Sequence, residues 1–376
     1  MSDERSGASW SIQPHTEAKH AILSAYLRAW FPILSLSGFE RVIYIDGFAG
    51  PGRYLGGQDG SPILALKALA GQSLPLRSVF EFHFVELDQR ISDVLSANIA
   101  EFRAQGMIGP GAEIHVHARC TFEEAYDRVI GPRLAEHPRA PAFALVDPFG
   151  WTGIPMRILS ELLRRDSTEV FVNFMFEEIN RFLAHEDQPR NFDALFGASD
   201  WREALELTGA ERKRYLHDFY RNQLQLSGGA RYVRSFEMRN DRGLVDYFLF
   251  FATSNLKGLS KMKEAMWRVD PAGAFMFSDT TDPNQSMLFQ PEPDRHLLRR
   301  LIERKFSGQR VQVGDVERFV VRDTPFLATH YKRVLSQMEA AGQLTVIDAP
   351  AKRRAGTFPD LRLMLAFGNE RPALGC

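Results

Sequence analysis

Five short β-rich runs alternate with helical stretches through the first half of this chain, and that alternation is the tightest constraint on its fold. The runs are RVIYID (41–46), FEFHFVELD (80–88), EIHVHA (113–118), AFALVD (142–147) and EVFVNFMF (169–176). Strands joined through helices predict a mostly parallel sheet with helices on both faces. Ahead of them, TEAKHAILSAYLRAWFPIL reads as a helix. Thr16 is its expected cap, and Ile22, Leu23, Tyr26, Leu27 and Trp30 recur at helical spacing. In GSPILALKALAG the expected cap is Ser61, with Pro62 first in the helix and Gly71 as its stop. The alternation ends in RYVRSFEMRNDRGLVDYFLFFATS, two β-rich runs around Asn240-Asp241-Arg242-Gly243, which predicts an antiparallel hairpin. Residues 177–226 between them read as a helical insertion.

The chain has 376 residues, enough for two domains. Residues 1–14 are expected to be disordered, 15–278 to form the α/β domain, and 279–291 to be a linker. Over 292–376 the order of three helices and a hairpin with a basic tip predicts a winged helix-turn-helix. From Pro293 onward there are 15 Lys/Arg against 9 Asp/Glu, although the whole chain is near neutral. A basic appendage on a near-neutral body fits a nucleic-acid partner. The two cysteines, Cys120 and Cys376, form neither a disulfide framework nor a metal-binding spacing, so no metal is expected. No secretory h-region and no apolar run of about 20 residues is present, which points to a cytoplasmic protein with no membrane span.

Where the first strand stops, YIDGFAGPGRY places Asp46, Gly47, Phe48, Gly50 and Gly52. A backbone that turns sharply and must approach a ligand closely needs glycine there. The pyrophosphate fingerprint Gly-x-Gly-x-x-Gly is absent, and the loop is long before the next helix. An adenosyl cofactor bound outside the carboxyl ends of parallel strands fits better, with Asp46 serving its amino-acid part. Glu86, at the end of the second strand, would accept two ribose hydroxyls. These residues select S-adenosylmethionine as the expected cofactor. At the third strand end, Cys120 and Thr121 stand where an adenine contact is expected, and a helix cap at Thr121 explains that residue equally well.

Asp147-Pro148-Phe149-Gly150 follows the fourth strand. A heterocyclic exocyclic amine is a poor nucleophile, because its lone pair is delocalised into the ring. Asp147 and the Pro148 carbonyl can each accept one of its N–H groups, and Phe149 can stack on the base. Asp, Pro and Gly are also ordinary turn formers. His15, Lys19 and His20 are expected on a capped surface helix, with a lid over the cofactor as the alternative. Asn180–Phe182 is a minor substrate candidate. Lys257, Lys261 and Lys263 read chiefly as a solvated helix face, with a phosphate clamp as the alternative for the first two. Lys352, Arg353 and Arg354 at the wing tip are the better phosphate-clamp candidates.

Taken together, HTEAKH, YIDGFAGPGRY, GSPILAL, FVELD, LVDPFGW and YFLFFATSNLKGLSKMKEAMWRVDP resemble the three-Cys-motif partner proteins, a methyltransferase-like family. The Asp-Pro-Phe-Gly turn is also similar to that of tRNA guanine-N2 methyltransferases. The resemblance implies a Rossmann-like class I methyltransferase sheet with an antiparallel last strand, and a winged-helix C-terminus. It also implies a protein partner carrying three cysteines and similar to radical-SAM proteins, but it supplies no substrate. The function expected is methyl transfer from S-adenosylmethionine to an exocyclic amine of a base in RNA or DNA. Two alternatives stay open: a non-catalytic or regulatory partner protein, and a small-molecule methyltransferase.

Overall fold

The computed structural model describes residues 12–109, 111–278, 293–347 and 352–368. The expected disorder over 1–14 falls almost wholly outside these residues, as do the linker expected over 279–291 and Cys376.

Strands β1 (Arg41–Asp46), β2 (Val79–Glu86), β3 (Ala112–Ala118), β4 (Ala142–Val146) and β5 (Thr168–Phe174) run parallel. The hairpin of β6 (Tyr232–Arg239) and β7 (Val245–Thr253) completes the sheet, with short β8 (Met276–Ser278) beside β6. The order is β3-β2-β1-β4-β5-β7-β6-β8, and β7 alone is antiparallel to its neighbours. This is the mostly parallel, Rossmann-like α/β sheet expected; β8 is the strand the sequence did not signal. Central strands β1, β4 and β5 are apolar almost throughout because helices cover both faces.

Helices α1 (Pro14–Leu36), α2 (Ser61–Ala70), α3 (Gln89–Ala104), α4 (Phe122–Ala125), α5 (Gly131–Glu136) and α6 (Met156–Leu163) precede or connect these strands. A π-helical turn at Tyr126–Ile130 joins α4 to α5. Two expected caps are displaced. Gln13 caps α1, with Pro14 in its first turn, so Thr16 lies inside the helix. Gly60 caps α2, so Ser61 is its first residue. In both cases proline's fixed φ sets the start one or more residues early. The insertion holds α7 (Phe176–Phe182), α8 (Pro189–Phe196), a 3-10 turn and α9 (Gly209–Leu226), and α10 (Leu256–Val269) follows β7.

The C-terminal unit is the expected winged helix-turn-helix. It contains α11 (Arg295–Phe306), β9 (Arg310–Gln312), α12 (Val313–Asp323), α13 (Ala328–Ala340), β10 (Leu344–Ile347) and β11 (Met364–Phe367). Its core is Leu298, Ile302, Val316, Val320, Tyr331, Val334, Leu335 and Leu365, all fully buried. No described helix is long and apolar enough to cross a membrane.

Candidate active site

A cleft of about 270 Å³ opens at the carboxyl edge of the parallel strands. Its position follows from the register. Asp46, the last residue of β1, is opposite Leu145 of β4, so Asp147 emerges two residues farther along the same edge. Asn173 and Met175 reach the cleft from the end of β5. Antiparallel β7 brings its first residues there instead, Asp246 and Tyr247.

The glycine loop forms one wall. Gly50 and Gly52 have φ of +62° and +79°, where a side chain is strained. A Cβ on Gly52 would come 2.9 Å from Leu95, whereas one on Gly50 would meet open space. Gly47 is tight for another reason: its Cβ would strike the Phe122 ring at 2.9 Å. Glu86 ties this loop to β2, since its carboxylate accepts from the Gly50 N–H at 3.0 Å and the Asp88 N–H at 2.9 Å. Phe48, Gly50 and Gly52 line the cleft; Asp46, Gly47, Glu86, Cys120 and Thr121 lie outside its lining.

Asp46 is fully buried on β1. Burial raises its pKa to about 7, against hydrogen bonds from the Ser61 side chain and the Phe48 N–H. Its Oδ2 has no partner among the described residues. Asp147 is also enclosed, but the balance reverses. Burial raises its pKa, yet the Lys19 charge and hydrogen bonds from Lys19 and Asn173 outweigh that and hold it below the usual carboxylate range. The Lys19 ammonium donates to Asp147 Oδ2, and Asn173 Nδ2 donates to Oδ1 at 2.8 Å.

The surface-helix expectation for the start of α1 is therefore corrected. Lys19 and His20 are buried, and with His15 they line the cleft. Burial and the adjacent Lys19 charge lower the His20 pKa to about 3, so this imidazole is neutral near pH 7. Sequence reasoning missed the Lys19–Asp147 pair because the residues are 128 positions apart. It also missed Asn173, Tyr54 and Tyr247. The one available signal was a polar pair, Lys19-His20, at the start of a largely apolar helix.

Pro148 is buried and Phe149 is 73% exposed at the cleft. The turn is anchored by Trp151, whose ring packs on Phe182 at 4.8 Å and Phe192 at 5.8 Å. The insertion thus braces the Asp-Pro-Phe-Gly turn. Within Asn180–Phe182, Phe182 serves that packing and Asn180 accepts from Arg212.

At the end of β3, Thr121 caps α4 in a capping box with Glu124, as the structural alternative held. The Cys120 thiol faces the His117 carbonyl, and burial raises its pKa.

Two of the basic groups are displaced from their expected roles. Lys257 and Lys261 line a separate small pocket with Glu169 and Ser167, at the amino end of the parallel strands. The cause is the direction of β7: it ends at Thr253, opposite Glu169 near the start of β5, so α10 begins across the sheet from Asp147. Lys261 pairs with Glu264, and Lys263 is buried rather than on a solvated face. At the wing, Arg353 forms a bidentate pair with Glu339 at 2.7 and 2.8 Å and lies over the Phe358 ring at 5.0 Å. It pins the wing to α13 and is not a free phosphate clamp. Lys352 and Arg354 remain exposed, as do Lys332 and Arg333 on α13.

A second polar cluster sits on the β2–β3 side. Glu81, Glu113 and His115 bring ligand atoms within 4.8 Å of one another. Arg41 fills that position, bonding Glu81 at 2.5 Å and Glu113 at 2.6 Å, and Arg133 adds a bond to Glu81 at 2.8 Å. Two guanidiniums already neutralise the carboxylates, so the cluster is an ion-pair network rather than a cation site.

Residues 276–351 match the GMT-like wHTH domain family. No curated protein sequence matches the chain. Among solved structures, a Legionella pneumophila protein of family DUF519 has 11% identity and a TM-score of 0.37, covering 62% of this chain and 84% of its own. The methyltransferase domain of a bacterial Hen1 has 11% identity and a TM-score of 0.30, covering 62% and 99%. A SAM-dependent methyltransferase from Methanosarcina mazei has 13% identity and a TM-score of 0.27, covering 59% and 96%. At these scores the likeness carries nothing beyond what the strand order already shows.

Proposed function

We propose that the protein transfers a methyl group from S-adenosylmethionine to an exocyclic amine of a base in RNA or DNA. The observation that carries this reading is the convergence of Asp147, held ionised by Lys19 and Asn173, with the glycine loop of β1 on one open cleft. The polar atoms there fit a polar ligand. His20 Nδ1, Tyr44 Oη, Asp46 Oδ2 and Asn173 Oδ1 are buried without partners among the described residues, and all belong to the cleft wall or the β1 end beneath it. Buried polar atoms are ordinarily paired, so such a group of orphans points to a ligand or ordered water. Gly50 leaves the space a Cβ would fill.

When bound, S-adenosylmethionine supplies an electrophilic methyl group on a sulfonium. Gly50 and Gly52 let the loop backbone approach it closely. Glu86 retains lone pairs for ribose hydroxyls beyond the two backbone N–H groups it already accepts. Asp46 offers an unpaired oxygen toward its cationic amino-acid part. Asp147 and the Pro148 carbonyl accept the N–H groups of the acceptor amine and steer its lone pair, and the ionised Asp147 carboxylate would receive the proton the nitrogen gives up as it gains the methyl group. Phe149 offers a face for the base to stack on. A base in a duplex must first leave the stack, at about a few kcal/mol. The winged helix contributes Lys332 and Arg333 on α13 and Lys352 and Arg354 on the wing as phosphate contacts.

Calorimetric titration with S-adenosylmethionine, followed by mass spectrometry of nucleosides from cells with and without the gene, tests the reading. Saturable binding and one methylated base lost with the gene support it. Absence of binding at millimolar ligand removes it.

A further inference from the structure

The acceptor side of the cleft carries more than a carboxylate. Lys19 Nζ donates to Asp147 Oδ2, and both residues line the cleft. The side chains are 9% and 20% exposed, so the pair is held in place with one side toward the opening. An ammonium has three protons. Among the described residues, Lys19 donates to Asp147, and its head also lies 5.7 Å from the Tyr247 ring centroid. Asp147 Oδ2 keeps a second lone pair. The cleft therefore presents a hydrogen-bond donor directly beside an acceptor.

That arrangement is complementary to an edge bearing an acceptor beside an N–H. The pairing edge of adenine has its exocyclic N6–H beside N1, and that of cytosine has N4–H beside N3. The pairing edge of guanine has N2–H beside N1–H, two donors, one of which would point at the ammonium; its N2–H lies beside an acceptor, N3, only on the edge that carries the sugar. An aliphatic amine brings nothing for Lys19 to meet. A site built to pair a polar edge rejects one that leaves its groups unpaired by large factors. Resting on the proposed transfer to a base amine, we propose that Lys19 is a specificity-determining residue which, with Asp147, reads the pairing edge of adenine or cytosine and turns guanine away. The Asp-Pro-Phe-Gly turn by itself resembles a guanine-N2 pattern; the lysine on α1 reverses that expectation.

The test has two arms on the full-length protein. In the first, bulk RNA and DNA from a strain lacking the gene are incubated with trideuteromethyl-labelled S-adenosylmethionine and digested to nucleosides for mass spectrometry. The expected label is in N6-methyladenine or N4-methylcytosine; label in N2-methylguanine overturns the proposal. In the second, adenosine, cytidine and guanosine monophosphates are titrated into the ligand-free protein. Adenosine or cytidine monophosphate should bind at least tenfold more tightly than guanosine monophosphate, and Lys19→Met should erase that difference. Equal binding of all three by the unmodified protein also overturns it, even if the variant does not fold. A preserved preference with label in no nucleoside would defeat the proposed transfer and leave the edge reading standing. Label without the preference would do the reverse.

Discussion

Replacing Asp46 with asparagine should stabilise this protein at pH 8 and destabilise it at pH 4. The carboxyl is fully buried, and burial raises its pKa from 3.8 to about 7. Between those values the folded chain holds a proton that the unfolded chain has released, so stability falls as pH rises through the window. The slope is about 1.4 kcal/mol per pH unit over roughly three units, or about 4 kcal/mol, with no further change above pH 7. Asparagine does not titrate and escapes that loss. It keeps an oxygen for the Phe48 N–H, but its amide nitrogen would stand where Oδ2 now has no partner, costing about 1–3 kcal/mol. The net expectation is a gain of about 1–3 kcal/mol at pH 8. Glu169 titrates in the same window, with a pKa also raised to about 7 by burial, so only the difference between wild type and Asp46→Asn isolates Asp46. Urea denaturation of both proteins from pH 4 to 8 measures it. The variant should start less stable at pH 4, overtake wild type as pH rises toward 7, and then hold a level advantage. A constant difference, or a variant less stable at pH 8, would refute the account of a neutralised buried acid. If the site binds as proposed, the same change should weaken S-adenosylmethionine binding, because a stabilising loss of charge at a functional site costs function.

Asp147→Asn keeps the shape of the clamp but removes its charge, so methyl transfer should fall by about 10²-fold or more, with S-adenosylmethionine affinity within about threefold of wild type; single-turnover kinetics and calorimetry measure the two. Gly52→Ala places a Cβ 2.9 Å from Leu95 at a φ of +79° and should cost about 1–3 kcal/mol; a thermal melt unchanged within a degree would contradict the packing. Trp151→Ala removes the ring that joins the Asp-Pro-Phe-Gly turn to Phe182 and Phe192, and should reduce transfer while leaving S-adenosylmethionine binding intact; equal loss of both would show that the turn does not act alone. At the wing, Arg353→Ala should lower stability by about 1–3 kcal/mol through the loss of the Glu339 pair. Lys352→Ala with Arg354→Ala should leave stability unchanged and reduce the salt dependence of nucleic-acid binding by about one unit of slope per lost phosphate contact. A filter-binding series across salt concentrations separates the two classes.

What the sequence makes legible here is whatever a local pattern encodes. Alternating strands and helices announce the sheet, Asn240–Gly243 announces the hairpin, and Asp46, Glu86 and Asp147 declare themselves by ending strands. Each can be read within a few residues of itself. β8 has three residues and no pattern of its own; it exists because β6 leaves an edge to pair with. Lys257 and Lys261 look like site residues in sequence because they follow the last strand closely. Only the reversal of β7 relative to β5 sends them to the other end of the sheet. Arg353 looks free in a basic run, and whether it meets phosphate or Glu339 depends on how the wing folds back on α13.

Lys19 marks the boundary most sharply. At helical spacing it is one polar residue in the first turns of an amphipathic helix, and a solvated position is the natural reading. In the fold it is buried, and a lone ammonium there would be costly to desolvate. Its burial is tolerable because Asp147, from the end of β4, arrives at the same place. The converse also holds: without Lys19 the same enclosure would push Asp147 toward the neutral state that Asp46 approaches. Two acids on neighbouring strand ends thus end in opposite states: burial wins at Asp46, while the Lys19 charge and hydrogen bonds outweigh burial at Asp147. Asp147 stays ionised as an acceptor, while Asp46 stands near its midpoint at neutral pH. Perturbed groups pushed apart in this way are a mark of sites that do chemistry. The division between them is set by a residue from a helix that precedes the sheet altogether.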